Sequence, residues 1–119
     1  MAFNETVMDH VLNPRNSGPL PDATCVGCVG IPGEGRYIKL YLTVSDDRIA
    51  KASYECNGCP ASIASASLVC QLARGRTTDF AGLIEPQDVL VLLRGLPEGK
   101  EEMAQMAVEA LRKALRPTD

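Results

Sequence analysis

From Tyr37 to Val44 apolar and polar residues alternate without a break: Ile38, Leu40, Leu42 and Val44 fall on one side, Tyr37, Lys39, Tyr41 and Thr43 on the other. A period of two belongs to a half-buried strand, so one face of this segment must lie on a core and the other meet water. Ser45-Asp46-Asp47-Arg48 supplies turn residues. Ile49 to Cys56 then returns, with Lys51, Ser53 and Glu55 expected toward solvent, opposite Ala50, Ala52 and Tyr54. Thr24 to Gly30 is small and semi-apolar, and the flexible turn Gly30-Ile31-Pro32-Gly33-Glu34-Gly35 connects it to the hairpin. An antiparallel meander of three strands, near Thr24 to Gly30, Arg36 to Val44 and Ile49 to Cys56, is expected.

The remaining segments carry the helical period. Phe3, Val7, Met8, Val11 and Leu12 mark a first helix over Phe3 to Leu12, which Asn13-Pro14 ends. A long helix is expected over Pro60 to Arg74, opening on Pro and closing at Gly75. Short helices come next, near Asp79 to Leu83 and Pro86 to Arg94. A last one, from about Gly99 to Leu115, puts Met103, Met106, Ala107, Ala110, Leu111, Ala114 and Leu115 on one stripe. Strands first and helices afterwards give an α+β fold, a three-stranded antiparallel sheet with helices packed on one face. At 119 residues, a single domain over 1–119 is expected, because two cores would each approach the lower limit for burial.

A formal charge of −3 with scattered Lys and Arg offers no field for a phosphate backbone, so no nucleic acid partner is expected. No apolar run approaches the ~18 residues of a membrane span, and Met-Ala-Phe-Asn-Glu-Thr does not read as a leader. The expected location is cytoplasmic, without membrane attachment. There the five cysteines would stay reduced, and metal binding or reactive thiols become the readings of interest.

Cys56-Asn57-Gly58-Cys59-Pro60 sets Cys59 just before the first turn of a helix, where free N–H groups and the dipole stabilise a thiolate. Cys56 shares the strand alternation of Tyr54 and reads as a ligand or as a buried strand residue. A second pair, Cys25-Val26-Gly27-Cys28, completes two Cys-x-x-Cys motifs, the pattern of a four-thiolate zinc or iron site. Such a site requires tight knuckles at Gly27 and Gly58, since residues three apart on a regular strand face opposite ways. Cys70 shares a helical stripe with Ile63, Ala66 and Ala73 and is expected in the core. His10 is assigned no chemistry. No Ser/His/Asp set and no Gly-rich phosphate loop with Lys is present, so no enzymatic activity is expected.

Several blocks stand out: Met8-Asp9-His10 through Asn13-Pro14-Arg15-Asn16, Val29-Gly30-Ile31-Pro32, Lys39-Leu40, Gly58-Cys59-Pro60-Ala61-Ser62-Ile63-Ala64-Ser65-Ala66-Ser67-Leu68, and Leu96-Pro97. Together they resemble the family of NifU N-terminal and IscU iron–sulfur scaffolds. The resemblance implies a cluster site at one end of the sheet, built in the family on three cysteines helped by an aspartate and a histidine. Here only Cys59 matches a family cysteine. Glu34 stands for the first thiolate and Arg36 for the aspartate, while Glu102 and Met103 stand where the family has a His-Cys pair.

The function implied by the resemblance is that of a scaffold-like protein of iron–sulfur cluster assembly, binding iron or a cluster through Cys59. Cys56, Cys25, Cys28, Glu34 and Glu102 are the candidate further ligands. A cysteine desulfurase is the implied sulfur donor and recipient apo-proteins the implied acceptors. Two alternatives stay open: a small structural or regulatory zinc protein with a Cys25/Cys28/Cys56/Cys59 site, and a metal-free, partner-binding relic of the scaffold fold. The matched family positions further imply that Glu34, Cys59 and Glu102 or Met103 converge at one end of the domain.

Overall fold

The computed structural model describes residues 3–116. The elements are α1 (Glu5–Leu12), β1 (Cys25–Val29), β2 (Tyr37–Ser45), β3 (Arg48–Asn57), α2 (Pro60–Ala73), α3 (Thr78–Ala81), α4 (Pro86–Leu92) and α5 (Glu102–Leu115). The strands form an antiparallel sheet in the order β1-β2-β3, as the alternation requires.

The apolar side of β2 is the floor of the core. Ile38, Leu40 and Leu42 are fully buried, and each such side chain stabilises the fold by about 1.5–3 kcal/mol relative to exposure. Their cover comes from two helices on the same face, with α5 over β1 and β2, α2 over β3, and α1 packed on α2. Contact between α5 and β1 is backbone to backbone: a Cβ at Gly27 would lie 2.2 Å from the Ala110 carbonyl oxygen. Glycine at that point, facing the backbone of Ala110 and Ala114, lets helix and strand approach without intervening side chains.

Caps shorten the helices relative to the apolar periods. Asn4 accepts the Val7 N–H at 2.9 Å and so fixes the start of α1 at Glu5. Its Nδ2 lies 3.0 Å from the carbonyls of Leu93, Arg94 and Gly95, tying α1 to the end of α4. Gly99, at φ +86°, lies in a turn before α5.

One expectation about facing fails at β3. Ala50 is exposed and Ser53 is buried, the reverse of the anticipated alternation. Thr43 pairs with Lys51 and Val44 with Ile49, so a bulge leaves Ala50 without a partner. Ser53 is enclosed instead beside Pro19 and Leu20, with which it lines a cavity of about 360 Å³. The segment through residues 16–18 runs along the edge of β3, where the Tyr54 N–H donates to Asn16 at 3.0 Å and Gly18 donates to Tyr54 at 2.8 Å. Among the described residues no helix is long and apolar enough to cross a membrane.

Candidate functional site

Cys59 caps α2 with extended backbone (φ −87°, ψ 174°), and Pro60 comes next in the first helical turn. Pro suits that turn because its missing N–H would have no partner there anyway. The thiol closes no cap hydrogen bond of regular geometry and stands 4.0 Å from the Ser62 hydroxyl. Burial pushes its pKa up, but the N–H groups of Ser62 and Ala61, the Ser62 hydroxyl and the Lys100 ammonium outweigh that. The net result is a thiol held below the ordinary value, a consequence of the unpaired donors at a helix start.

The other matched positions gather around it. Arg36 Nη1 pairs with Glu102 Oε1 at 3.0 Å, linking the entry of β2 to the first residue of α5. Ser62 donates to the sulfur of Met103 at 2.9 Å, and Met103 is fully buried. Asn57 donates to the Gly35 carbonyl at 3.1 Å and holds the 30–35 turn against the end of β3. Glu34 stands exposed in that turn beside Gly35, its N–H donating to Ile31 at 2.9 Å. The turn carrying Glu34 thus reaches the end of the domain where Cys59, Arg36, Glu102 and Met103 meet.

The two Cys-x-x-Cys pairs are not brought together. Cys25 is opposite Leu42, and Cys28 is opposite Lys39, so their side chains leave β1 on opposite faces. Cys25 packs against the core at the Leu42 end of the sheet. Cys56 is opposite Ile38 and faces the helices. Val29 also pairs with Ile38, so Cys25 lies four residues, about 13 Å of strand, from the row that carries Cys56. Gly27 makes no knuckle, being regular strand pressed on α5. The alternative of a Cys25/Cys28/Cys56/Cys59 four-thiolate site therefore does not form, and among the described residues no group of three His, Cys, Asp or Glu side chains is placed to hold a metal ion.

Tested against a cluster, the donor set is short of soft ligands. Glu102 is engaged by Arg36 and the Met103 sulfur is buried against Ser62. Carboxylates are hard donors, whereas clusters rest on thiolates. Cys59 is the one thiol at a position that matches a family cysteine; Cys56, nearby, is held neutral by burial, and these residues do not by themselves fit a cluster.

Cys56 lines a cavity of about 370 Å³ with Val11, Pro14, Tyr37, Tyr54 and Ile63, and burial, then the nearby Cys59, pushes its pKa up to about 11. Cys70 is buried in the core as expected, with its pKa driven further up by burial. His10 is buried too, its Nδ1 2.8 Å from the Ser67 hydroxyl, so that α1 packs on α2 there. Arg36 is reached through the resemblance, whereas the effect of Lys100 on Cys59 is not legible in the sequence, its only signal being its place shortly after the matched Leu96-Pro97 block.

Comparison with known proteins speaks for the family and the fold. A family model described as the NifU-like N terminal domain matches residues 2–117. The iron-sulfur cluster assembly scaffold protein IscU 1 of Archaeoglobus fulgidus is 38% identical over 113 residues, 95% of this chain and 74% of that protein. IscU of Escherichia coli K12, named with the same scaffold role, is 35% identical over 119 residues, 97% of this chain and 92% of its own. In structure, a putative scaffold protein for the SUF system from Fervidobacterium islandicum superposes with a TM-score of 0.75 at 18% identity, covering 96% of both chains. That likeness speaks for the fold. With a family match running nearly end to end and relatives above one-third identity, the chain belongs to the NifU-like N-terminal domain family.

Proposed function

We propose that this protein serves iron–sulfur cluster assembly as a scaffold-type binding protein that offers Cys59 as its thiolate at the matched end. The observation that carries this is the placement of Cys59 at the N-terminus of α2, where the N–H groups of Ser62 and Ala61 hold its thiol below the ordinary pKa against burial. A thiolate so stabilised is a ligand for iron and an acceptor for sulfur chemistry. Because Glu34, Glu102 and Met103 replace the other soft donors, the remaining ligands to any iron or cluster come from outside the chain. The protein turns over no substrate of its own. Sulfur comes from a cysteine desulfurase, and product passes to recipient apo-proteins.

Purification without oxygen, then incubation with ferrous iron, a thiol and sulfide, tests this. Iron, acid-labile sulfide and visible absorbance should be retained by the wild type and lost with Cys59→Ser. Colourless protein without iron or sulfide would overturn it.

A second reading has its own observation in favour: the Arg36–Glu102 ion pair and the buried Met103 sulfur already satisfy the positions that would otherwise face a metal. On that reading the fold acts as a metal-free partner-binding surface, and its thermal stability is indifferent to iron and to chelators alike.

A further inference from the structure

Cys56 and Cys59 flank the turn Asn57-Gly58 between β3 and α2. Register sets Cys56 on the helix-covered face of β3, where it lines a cavity together with Ile63. Ile63 lies one turn along α2 from Cys59, and its N–H donates to the Cys59 carbonyl at 3.4 Å. Cys56 therefore sits beside the same first turn that Cys59 caps. Gly58 permits the fold-back, since a Cβ there would lie 2.5 Å from the Ser62 hydroxyl oxygen and 3.7 Å from the Arg36 Cβ. Both thiols are half-buried and free, whereas Cys70 on the same helix is closed off from solutes in the core. A Cys-x-x-Cys segment folded onto a helix start is a short loop that a disulfide can close.

We propose that Cys56 and Cys59 are a dithiol–disulfide pair, in which Cys59 attacks a soluble disulfide and Cys56 resolves the product. The Cys59 thiolate attacks one sulfur of a low-molecular-weight disulfide RS–SR of the glutathione class. A Cys59–SR bond forms, the S–S bond breaks, and RS⁻ leaves to take up a proton. Cys56, as thiolate, then attacks the Cys59 sulfur, expels the second RS⁻ and closes the Cys56–Cys59 bond. The two protein thiols lose two electrons and two protons, and the soluble disulfide gains both as two RSH. Excess thiol reverses the sequence. Cys59 takes the first step because it lies at the open end of α2 between exposed Gly58 and half-buried Pro60. Cys56 lies under the helix and is reached from within. Closure withdraws the thiolate on which the proposed scaffold role rests; the pairing chemistry itself does not depend on that role.

The test is equilibration of the full chain, purified anaerobically, in buffers of graded glutathione and glutathione disulfide, then acid quench, alkylation and peptide mass mapping. The expected result is a Cys56–Cys59 linked peptide that rises with the oxidised fraction and disappears on return to excess glutathione. With Cys56→Ser, and independently Cys56→Ala, the Cys59–glutathione adduct should persist at least about tenfold longer than in wild type, for want of a resolving thiol. With Cys59→Ser, Cys56 should remain unmodified over the same interval. Cys25→Ser and Cys28→Ser should change nothing, and thermal melting of each variant checks folding. Wild-type protein that ends with both thiols free, or with a stable Cys59–glutathione adduct and no internal link, overturns the proposal whatever the variants do. Iron and sulfide uptake, measured on the same preparation, judges the scaffold function separately. A link formed in protein that takes up neither leaves the pair standing and the scaffold role refuted.

Discussion

Arg36 Nη1 and Glu102 Oε1 lie 3.0 Å apart, so an ion pair joins the entry of β2 to the start of α5 at the positions where the resembled family has an aspartate and a histidine. Both side chains are about half exposed, at 50% and 51%, so water screens the attraction. The expected coupling in a double-mutant cycle of Arg36→Ala and Glu102→Ala, read by urea unfolding, is about 0.2–1 kcal/mol. It should shrink as salt is raised. A coupling above about 2 kcal/mol, beyond the range of exposed pairs, would mean that the pair is structurally essential.

Gly27→Ala should destabilise the fold by about 1–3 kcal/mol or more, because overpacking here meets backbone that cannot rotate away. The added Cβ would lie 2.2 Å from the Ala110 carbonyl oxygen and 2.4 Å from the Ala114 nitrogen. Gly33→Ala is the comparison: nothing lies within 4 Å, but φ is +89°, and the left-handed backbone alone costs about 1–2 kcal/mol. Urea unfolding should rank Gly27→Ala as the more damaging. Equal effects would show that α5 shifts easily on β1.

Thiol reactivity should track the three different environments. In brief iodoacetamide pulses across a pH series, Cys59 should reach half-maximal labelling below the ordinary 9.0, and Cys56 near pH 11 because burial opposes its charged form. Cys70 should label last, since its site excludes both the reagent and the thiolate. Labelling of Cys70 ahead of Cys59 in folded protein would refute the placement of Cys59.

His10 ties stability to mild acid. Burial, then the positive charge of Arg15, lowers its pKa below the ordinary 6.5, against a smaller opposing effect of Asp9. The unfolded chain consequently binds the proton first, and stability falls as pH drops below about 6.5 until the folded-state pKa is reached. Chemical unfolding from pH 7.5 downward should show this slope in the wild type and a weaker one in His10→Gln, even though that variant also disturbs the contact with Ser67. An unchanged slope would assign the acid sensitivity to other groups.

The local pattern of residues was enough for much of this protein. A period of two made β2 a half-buried strand, Asp46 and Asp47 turned the hairpin through left-handed backbone, Pro60 placed Cys59 at a helix start, and the stripe through Ala66 and Ala73 buried Cys70. Each is decided within a few neighbours, by backbone sterics and by which side chains share a face. Resemblance placed Cys59, Arg36, Glu102 and Met103 at one end because matched positions carry a shared topology with them. Spacing could not decide whether Cys25 and Cys28 meet Cys56 and Cys59, because that depends on how β1 is registered on β2. Pairing Cys25 with Leu42 and Cys28 with Lys39 sends the two thiols to opposite faces. Nor could the local pattern foresee the bulge that turns Ala50 outward, or the enclosure of Ser53 beside Pro19 and Leu20. Those outcomes depend on contacts between distant parts of the chain, which form only once the sheet and its covering helices pack together.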